Sequence, residues 1–200
     1  METVTKFKYY GNHLALDFLN TLLRDQNEDV EMLQNFADIL NWLVETKIIS
    51  PSKRPELLNN WRDERENAQI AEKVRAFRKN LYSLVMDIVE RRPLSQSVLD
   101  EINYILTHST SHFQLINDKK GLKKERVHGF KSVMNFLVPF AETAVHLLTE
   151  TNHRLIRKCE NPECVIVFYD TSKNHTRRWC SMQVCGNRFK VAEFYKRHKK

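Results

Sequence analysis

Apolar residues recur along most of this chain at the three- and four-residue intervals of an α-helix, and only a few short runs alternate like strands. Residues 7–10 are short and aromatic and read as a strand. Residues 13–23 (HLALDFLNTLL) are apolar nearly all round, which predicts a buried helix. Leu33, Phe36, Ala37, Leu40 and Leu43 keep the helical period, with Trp42 and Val44 widening the face, until Ser50-Pro51 and Arg54-Pro55 interrupt it. One long charged helix is expected from 55 to about 91, ended by Arg92-Pro93; its stripe runs through Leu58, Trp61, Ile70, Val74, Phe77, Leu81, Leu84, Val85 and Ile88. Ser95 opens another helix, burying Leu99, Ile102, Ile105 and Leu106. Two partly alternating runs in 112–127, around Asn117-Asp118-Lys119-Lys120-Gly121, predict a β-hairpin. Helix returns from 130 to about 156, with a kink or break expected near Leu137 because Pro139 falls inside it.

The pattern therefore predicts a mostly α-helical N-terminal domain with a small β-hairpin, followed by a segment of different character. Every cysteine lies in that last segment, at 159, 164, 180 and 185. The spacing is C-x4-C, fifteen residues, C-x4-C. Thiolates a few residues apart reach a single Zn²⁺ from one turn, and four of them complete its tetrahedron. Two disulfides are the alternative, and the lack of an export signal argues against them. A sphere of four cysteines leaves no open position for water or substrate, so the expected ion is one structural zinc. His175 and His198 have no missing ligand to supply.

Charge sharpens the division. Residues 151–200 hold 12 Lys and Arg against 4 Asp and Glu, whereas the remaining 150 hold 20 against 21. A basic appendage on a near-neutral body suits an anionic partner, nucleic acid first. Zinc bound by four thiolates carries −2 and accounts for about two of the extra cations, not the rest. No apolar run is long enough to span a membrane, and the reducing cytoplasm is the expected home. P-loop, G-x-G-x-x-G, G-x-S-x-G and H-E-x-x-H motifs are all missing, so the expectation is of a non-enzyme. His108 and His112 are spaced for a second metal, but their serine- and threonine-rich spacer reads as a helix end.

Residues 157–190 carry Cys159-x4-Cys164, Phe168-x-Asp170-Thr171-Ser172, Arg177-Arg178-Trp179-Cys180-Ser181-Met182 and Cys185-Gly186-Asn187-Arg188. This run resembles the CGNR-type zinc finger over about 45 residues. Leu14-Ala15-Leu16-Asp17-x-x-Asn20-Thr21, with the helix order, resembles the ABATE domain that accompanies this finger in bacterial stress-induced transcription regulators. The resemblance implies an ABATE-like domain over 1–152 and a treble-clef-like finger over 153–200. It implies further that Cys159, Cys164, Cys180 and Cys185 hold the zinc. Where relatives often carry a small or glycine-containing turn, this chain has Asn174-His175-Thr176.

In this reading a final helix spans about 187–198. Val191, Phe194, Tyr195 and His198 share a face and are expected to pack inward. Arg188, Lys196 and Lys199 fall on one flank, Lys190 and Arg197 on the other, where they would meet DNA. Arg177 and Arg178 suit phosphate and guanine edges, and Arg178 equally suits a backbone carbonyl or Asp170. Trp179 is expected to cover the metal. Asp17, Asn20 and Thr21 are polar inside an apolar helix and must find partners. They form either an anchor for a neighbouring element or the wall of an effector pocket. A small-molecule effector and a second copy of the chain are the other candidate partners. The competing class is a zinc-stapled protein-interaction module without DNA binding.

Overall fold

In the computed structural model, residues 6–25, 28–118 and 121–198 are described. The chain forms two compact units that interleave in sequence. One comprises the chain up to Met32, Arg78–Ser95 and the chain from Leu147 onward; the other comprises Leu33–Phe77 and Gln96–His146.

The second unit is helical. It contains α2 (Phe36–Glu45), α3 (Lys53–Asn60), the first half of α4 (Glu64–Val89), α5 (Gln96–Thr107) and most of α6 (Val138–Glu150). Asn35 starts α2 by accepting a hydrogen bond from the Asp38 amide through its side chain. Its core is aromatic: Phe136 meets Phe36, Trp61 and Phe130 at ring distances of 5.1, 5.0 and 4.7 Å, and Trp42 stacks on Phe140 at 5.1 Å. The hairpin predicted at 112–127 is present as β3 (His112–Asp118) and β4 (Gly121–Val127), paired from His112↔Val127 to Asp118↔Gly121. The helix expected from 130 to about 156 is shorter at both ends, with α6 covering only Val138–Glu150; the expected break does fall at Leu137, between α6 and a single 3-10 turn (Val133–Phe136). Pro139, second in α6, sits where its missing N–H costs nothing.

Three further expectations are corrected. The stretch expected to be one helix from 55 to 91 is two, α3 and α4, because Trp61–Asp63 leave the helix and the Asp63 carboxylate restarts it by accepting from the Arg65 amide at 2.8 Å. Residues 7–10 form no strand. The first helix, α1 (Leu14–Leu19), is shorter than expected, and the following leucines turn into a two-stranded ribbon, β1 (Leu22–Asp25) with β2 (Glu28–Glu31). Leu22 and Leu23 continue the apolar run, so the sequence pattern runs past a stop that is set by tertiary hydrogen bonds.

The first unit holds α1, the β1–β2 ribbon, the second half of α4 and the cysteine segment. That segment consists of β5 (Ile156–Lys158), β6 (Val167–Tyr169), one wide helical turn (Met182–Gly186) and α7 (Asn187–His198). Strands β5 and β6 are antiparallel, with Arg157 opposite Phe168. Phe168 and Ile166 are buried with the four cysteines, and Tyr10, Leu23 and Trp179 pack against that cluster.

Candidate metal centre

Two tight turns bring the cysteines together. After β5, the Asn161 carbonyl accepts from the Cys164 amide at 2.9 Å, folding Cys159 and Cys164 into a knuckle. Ser181 then starts the wide turn through its side chain, accepting from Val184, and carries Cys185 back towards Cys180. All four thiols are buried. Their sulfurs all lie within 4.8 Å of one another, with Cys164–Cys180 at 3.8 Å and Cys180–Cys185 at 3.5 Å.

Four sulfurs about 2.3 Å from a tetrahedral zinc stand roughly 3.8 Å apart, so the cage has the size of that ion and is far too open for S–S bonds. Its acid–base chemistry also calls for a cation. Hydrogen bonds from Cys164 and Cys180 hold Cys159 as the favoured thiolate. The neighbouring Cys159, then burial, push Cys164 up to about 12 and raise Cys180 as well. Four adjacent thiols cannot all ionise without a compensating positive charge, which a divalent ion provides. The amide of Cys180 points at the Cys159 sulfur at 3.4 Å, a backbone donor of the kind that supports metal thiolates. The residues fit one structural Zn²⁺.

The loop between the metal knuckles is built around Asp170, which is fully buried. Its carboxylate accepts from the Ser172 amide and hydroxyl at 3.0 and 2.6 Å and from the Arg177 amide at 2.9 Å, with Arg157 at 3.4 Å. Burial pushes this carboxyl up, yet the Ser172 and Arg177 hydrogen bonds and the Arg157 charge outweigh it and hold the group below its usual range. At the tip His175 takes a positive φ of 50°, the conformation in which glycine is easiest. Its carbonyl is tied to Arg157 at 2.6 Å.

Arg177 and Arg178 part company here. Arg177 is turned inward: its guanidinium lies 4.2 Å over the Phe168 ring and donates to the carbonyls of Trp179, Tyr10 and Cys180. That guanidinium is used in holding the metal loop. Arg178 is exposed, resting 5.0 Å over Trp179 and paired with Glu160 at 2.6 Å. Trp179 packs on the cysteine cluster and on Phe189 at 4.7 Å.

α7 leaves the metal site through Cys185 and Gly186. A Cβ on Gly186 would lie 3.2 Å from the Trp179 ring and 2.4 Å from the Met182 sulfur, so a side chain there would have to displace the exposed Met182 and press on Trp179. No residue of α7 is buried. The expectation that Val191, Phe194 and Tyr195 pack inward is overturned: they are 54%, 57% and 62% exposed, and His198 is exposed, its ring stacked on Phe194 at 4.1 Å. Periodicity shows which residues share a face; it does not show that a neighbour covers the face. Arg188, Lys190, Lys196 and Arg197 are also accessible along α7, with Lys196 paired to Glu193 at 3.2 Å. Lys199 lies outside the described residues.

Asp17, Asn20 and Thr21 each spend their polar atoms on the protein. The Asn20 amide brackets Val167 of β6, donating to its carbonyl at 2.9 Å and accepting from its N–H at 3.1 Å. Thr21 donates to the Phe18 carbonyl and accepts from Arg78, which also reaches Glu31; both Thr21 bonds are 2.7 Å. Asp17 accepts from the Gly11 amide at 2.7 Å; burial pushes its carboxyl up to about 6 against the pull of that bond. Gly11 and Asn12 then extend the contact to β6, the Gly11 carbonyl accepting from Tyr169 and Asn12 donating to the Tyr169 carbonyl. From α4, Tyr82 donates to the Val165 carbonyl at 3.1 Å. Asn20 directly, and Asp17 through Gly11, therefore grip the strand that follows the first metal knuckle, whereas Thr21 ties the end of α1 to Arg78. Gly11, Asn12 and Tyr82 are not evident from sequence patterns; a glycine-asparagine pair before a polar-interrupted apolar helix is the one signal present.

Together these features define a helix-rich protein with a treble-clef-like zinc site of four cysteines. Two family models match the chain: one described as "Putative stress-induced transcription regulator", the ABATE family, over residues 12–151, and the CGNR zinc finger over residues 155–198. The chain belongs to the ABATE family and carries a CGNR zinc finger. No curated protein matches it. Neither family is described as an enzyme, and no helix among the described residues is long and apolar enough to cross a membrane.

Proposed function

We propose that this protein is a DNA-binding transcription regulator in which zinc fixes the start of α7 and α7 meets the duplex. The observation that carries this reading is a 12-residue helix, launched two residues after a metal ligand, with no buried side chain and four accessible cations. Such a helix is about 18 Å long, suited to a major groove or a run of phosphates. Arg188, Lys190, Lys196 and Arg197 are the proposed contacts on it, with Arg178 beside it. The Arg178–Glu160 pair is exposed and therefore weak, so a phosphate can displace Glu160. Exposed Val191 and Tyr195 suit apolar contact with sugars and thymine methyls.

The same exposed Val191, Phe194 and Tyr195 favour a second reading, a zinc-stapled surface that grips a partner protein. Ionic strength separates the two. Duplex affinity of the zinc-loaded protein is expected to fall linearly on a log–log plot against salt. Replacing Lys190 and Arg197 with glutamine should lower that slope by about 2. Indifference to random duplexes at low salt would leave the protein-interaction reading in place.

A further inference from the structure

The first unit contains a second cationic feature, on elements other than α7. A cleft of about 710 Å³ opens between the end of α4 and β5. Six cations and one carboxylate, Glu160, line it. Of the cations, Arg92 is paired with Asp87 and Glu90, and Arg177 is turned inward as described. Arg91, Arg154 and Lys158 are exposed, and no described residue pairs with their side chains. Arg157 adds a buried Nε that makes no hydrogen bond and stands 3.4 Å from Asp170. Glu160 is engaged by Arg178. The cleft is also partly apolar, since buried Ile88 and Ile156 belong to its lining.

Three uncompensated cations around one concavity repel one another and favour a bound polyanion. A volume in the range of small-molecule sites, with apolar side chains among the cations, selects an organic anion over bare salt. We propose that this cleft is a binding site for a phosphorylated small molecule of nucleotide size. Arg91, Arg154 and Lys158 take its phosphate oxygens, and Ile88 and Ile156 receive its uncharged body. Its position gives it a route to the finger: Lys158 precedes the zinc ligand Cys159, whose amide donates to the Ile166 carbonyl at 2.9 Å. The site does not depend on DNA binding by α7.

The test uses the full zinc-loaded chain at low ionic strength, titrated calorimetrically with inorganic pyrophosphate and with ATP. Saturable one-to-one binding is expected, tighter for ATP. The Arg91→Gln/Arg154→Gln/Lys158→Gln variant should weaken it by about tenfold or more. The Lys190→Gln/Arg197→Gln variant should change it by less than about twofold. Zinc content and thermal midpoint verify that each variant is folded, and single Lys158→Gln serves if the triple variant is not. Three results would overturn the proposal. One is no saturable binding of either anion. Another is equal losses from the cleft and α7 variants, which marks general charge attraction. The last is a cleft variant that keeps ATP but loses duplex affinity, which marks a path for DNA phosphates.

Discussion

Replacing Asn20 with alanine removes both hydrogen bonds by which α1 holds β6. Val167 is fully buried, so its N–H and carbonyl would lose their partners in a place water reaches poorly. Leaving a buried donor or acceptor unsatisfied costs about 1–3 kcal/mol, and two such groups give about 2–5 kcal/mol after some relaxation. Asn20→Asp should do no better: one carboxylate oxygen can still accept from Val167 N–H, but the other faces the Val167 carbonyl. Asn12→Gly, which also removes bonds to the finger but at an exposed position and suits the positive φ of 55° there, should cost less than about 1 kcal/mol. Urea denaturation of the zinc-loaded proteins gives the three values, and hydrogen exchange at the Val167 amide reports the local opening. An Asn20→Ala loss below about 0.5 kcal/mol, with Val167 exchange unchanged, would refute the reasoning.

Arg177→Lys should destabilise by about 1–3 kcal/mol, because lysine cannot reach three carbonyls from one planar group; the salt dependence of duplex binding should keep its slope. His128 tests the other unit through pH. Burial, then the charge of Arg126, holds its pKa down to about 4, with Glu142 4.0 Å away. The unfolded chain therefore takes a proton at higher pH than the folded one. The stability this group contributes is complete above about 6.5 and is lost as pH falls towards 4, by at most about 3 kcal/mol. Asp17, raised to about 6, acts with the opposite sign between about 6 and 4, so the quantity to measure is the stability difference between wild type and His128→Gln at pH 7 and pH 4.5. Removing zinc with a chelator should withdraw on the order of 10 kcal/mol from the cysteine segment, seen as loss of protected amides in 156–198.

What the sequence revealed and what it hid divide along a physical line. The four-cysteine set, the bounds of α7, the 112–127 hairpin and the break at Leu137 depend on local spacing and on proline, and local spacing is visible in a sequence. The end of α1 is different: nothing near Leu22 or Leu23 announces a strand, because their pairing with Glu28–Glu31 and the Asn20 bond to Val167, 147 positions away, exist only in the folded chain. Arg177 suits a phosphate in the sequence because no local pattern shows its guanidinium turning over Phe168 to reach the Tyr10 carbonyl, 167 positions away. The basic cleft is hidden for the same reason. Arg91 belongs to a stretch whose charges nearly cancel, and only folding sets it beside Arg154 and Lys158.

Elemental analysis paired with intact-protein mass spectrometry tests the four-sulfur metal site most directly. One zinc per chain, with all four cysteines alkylated only after the metal is removed, is the predicted result. A metal-free folded protein, or masses showing Cys159, Cys164, Cys180 and Cys185 joined in pairs, would contradict it.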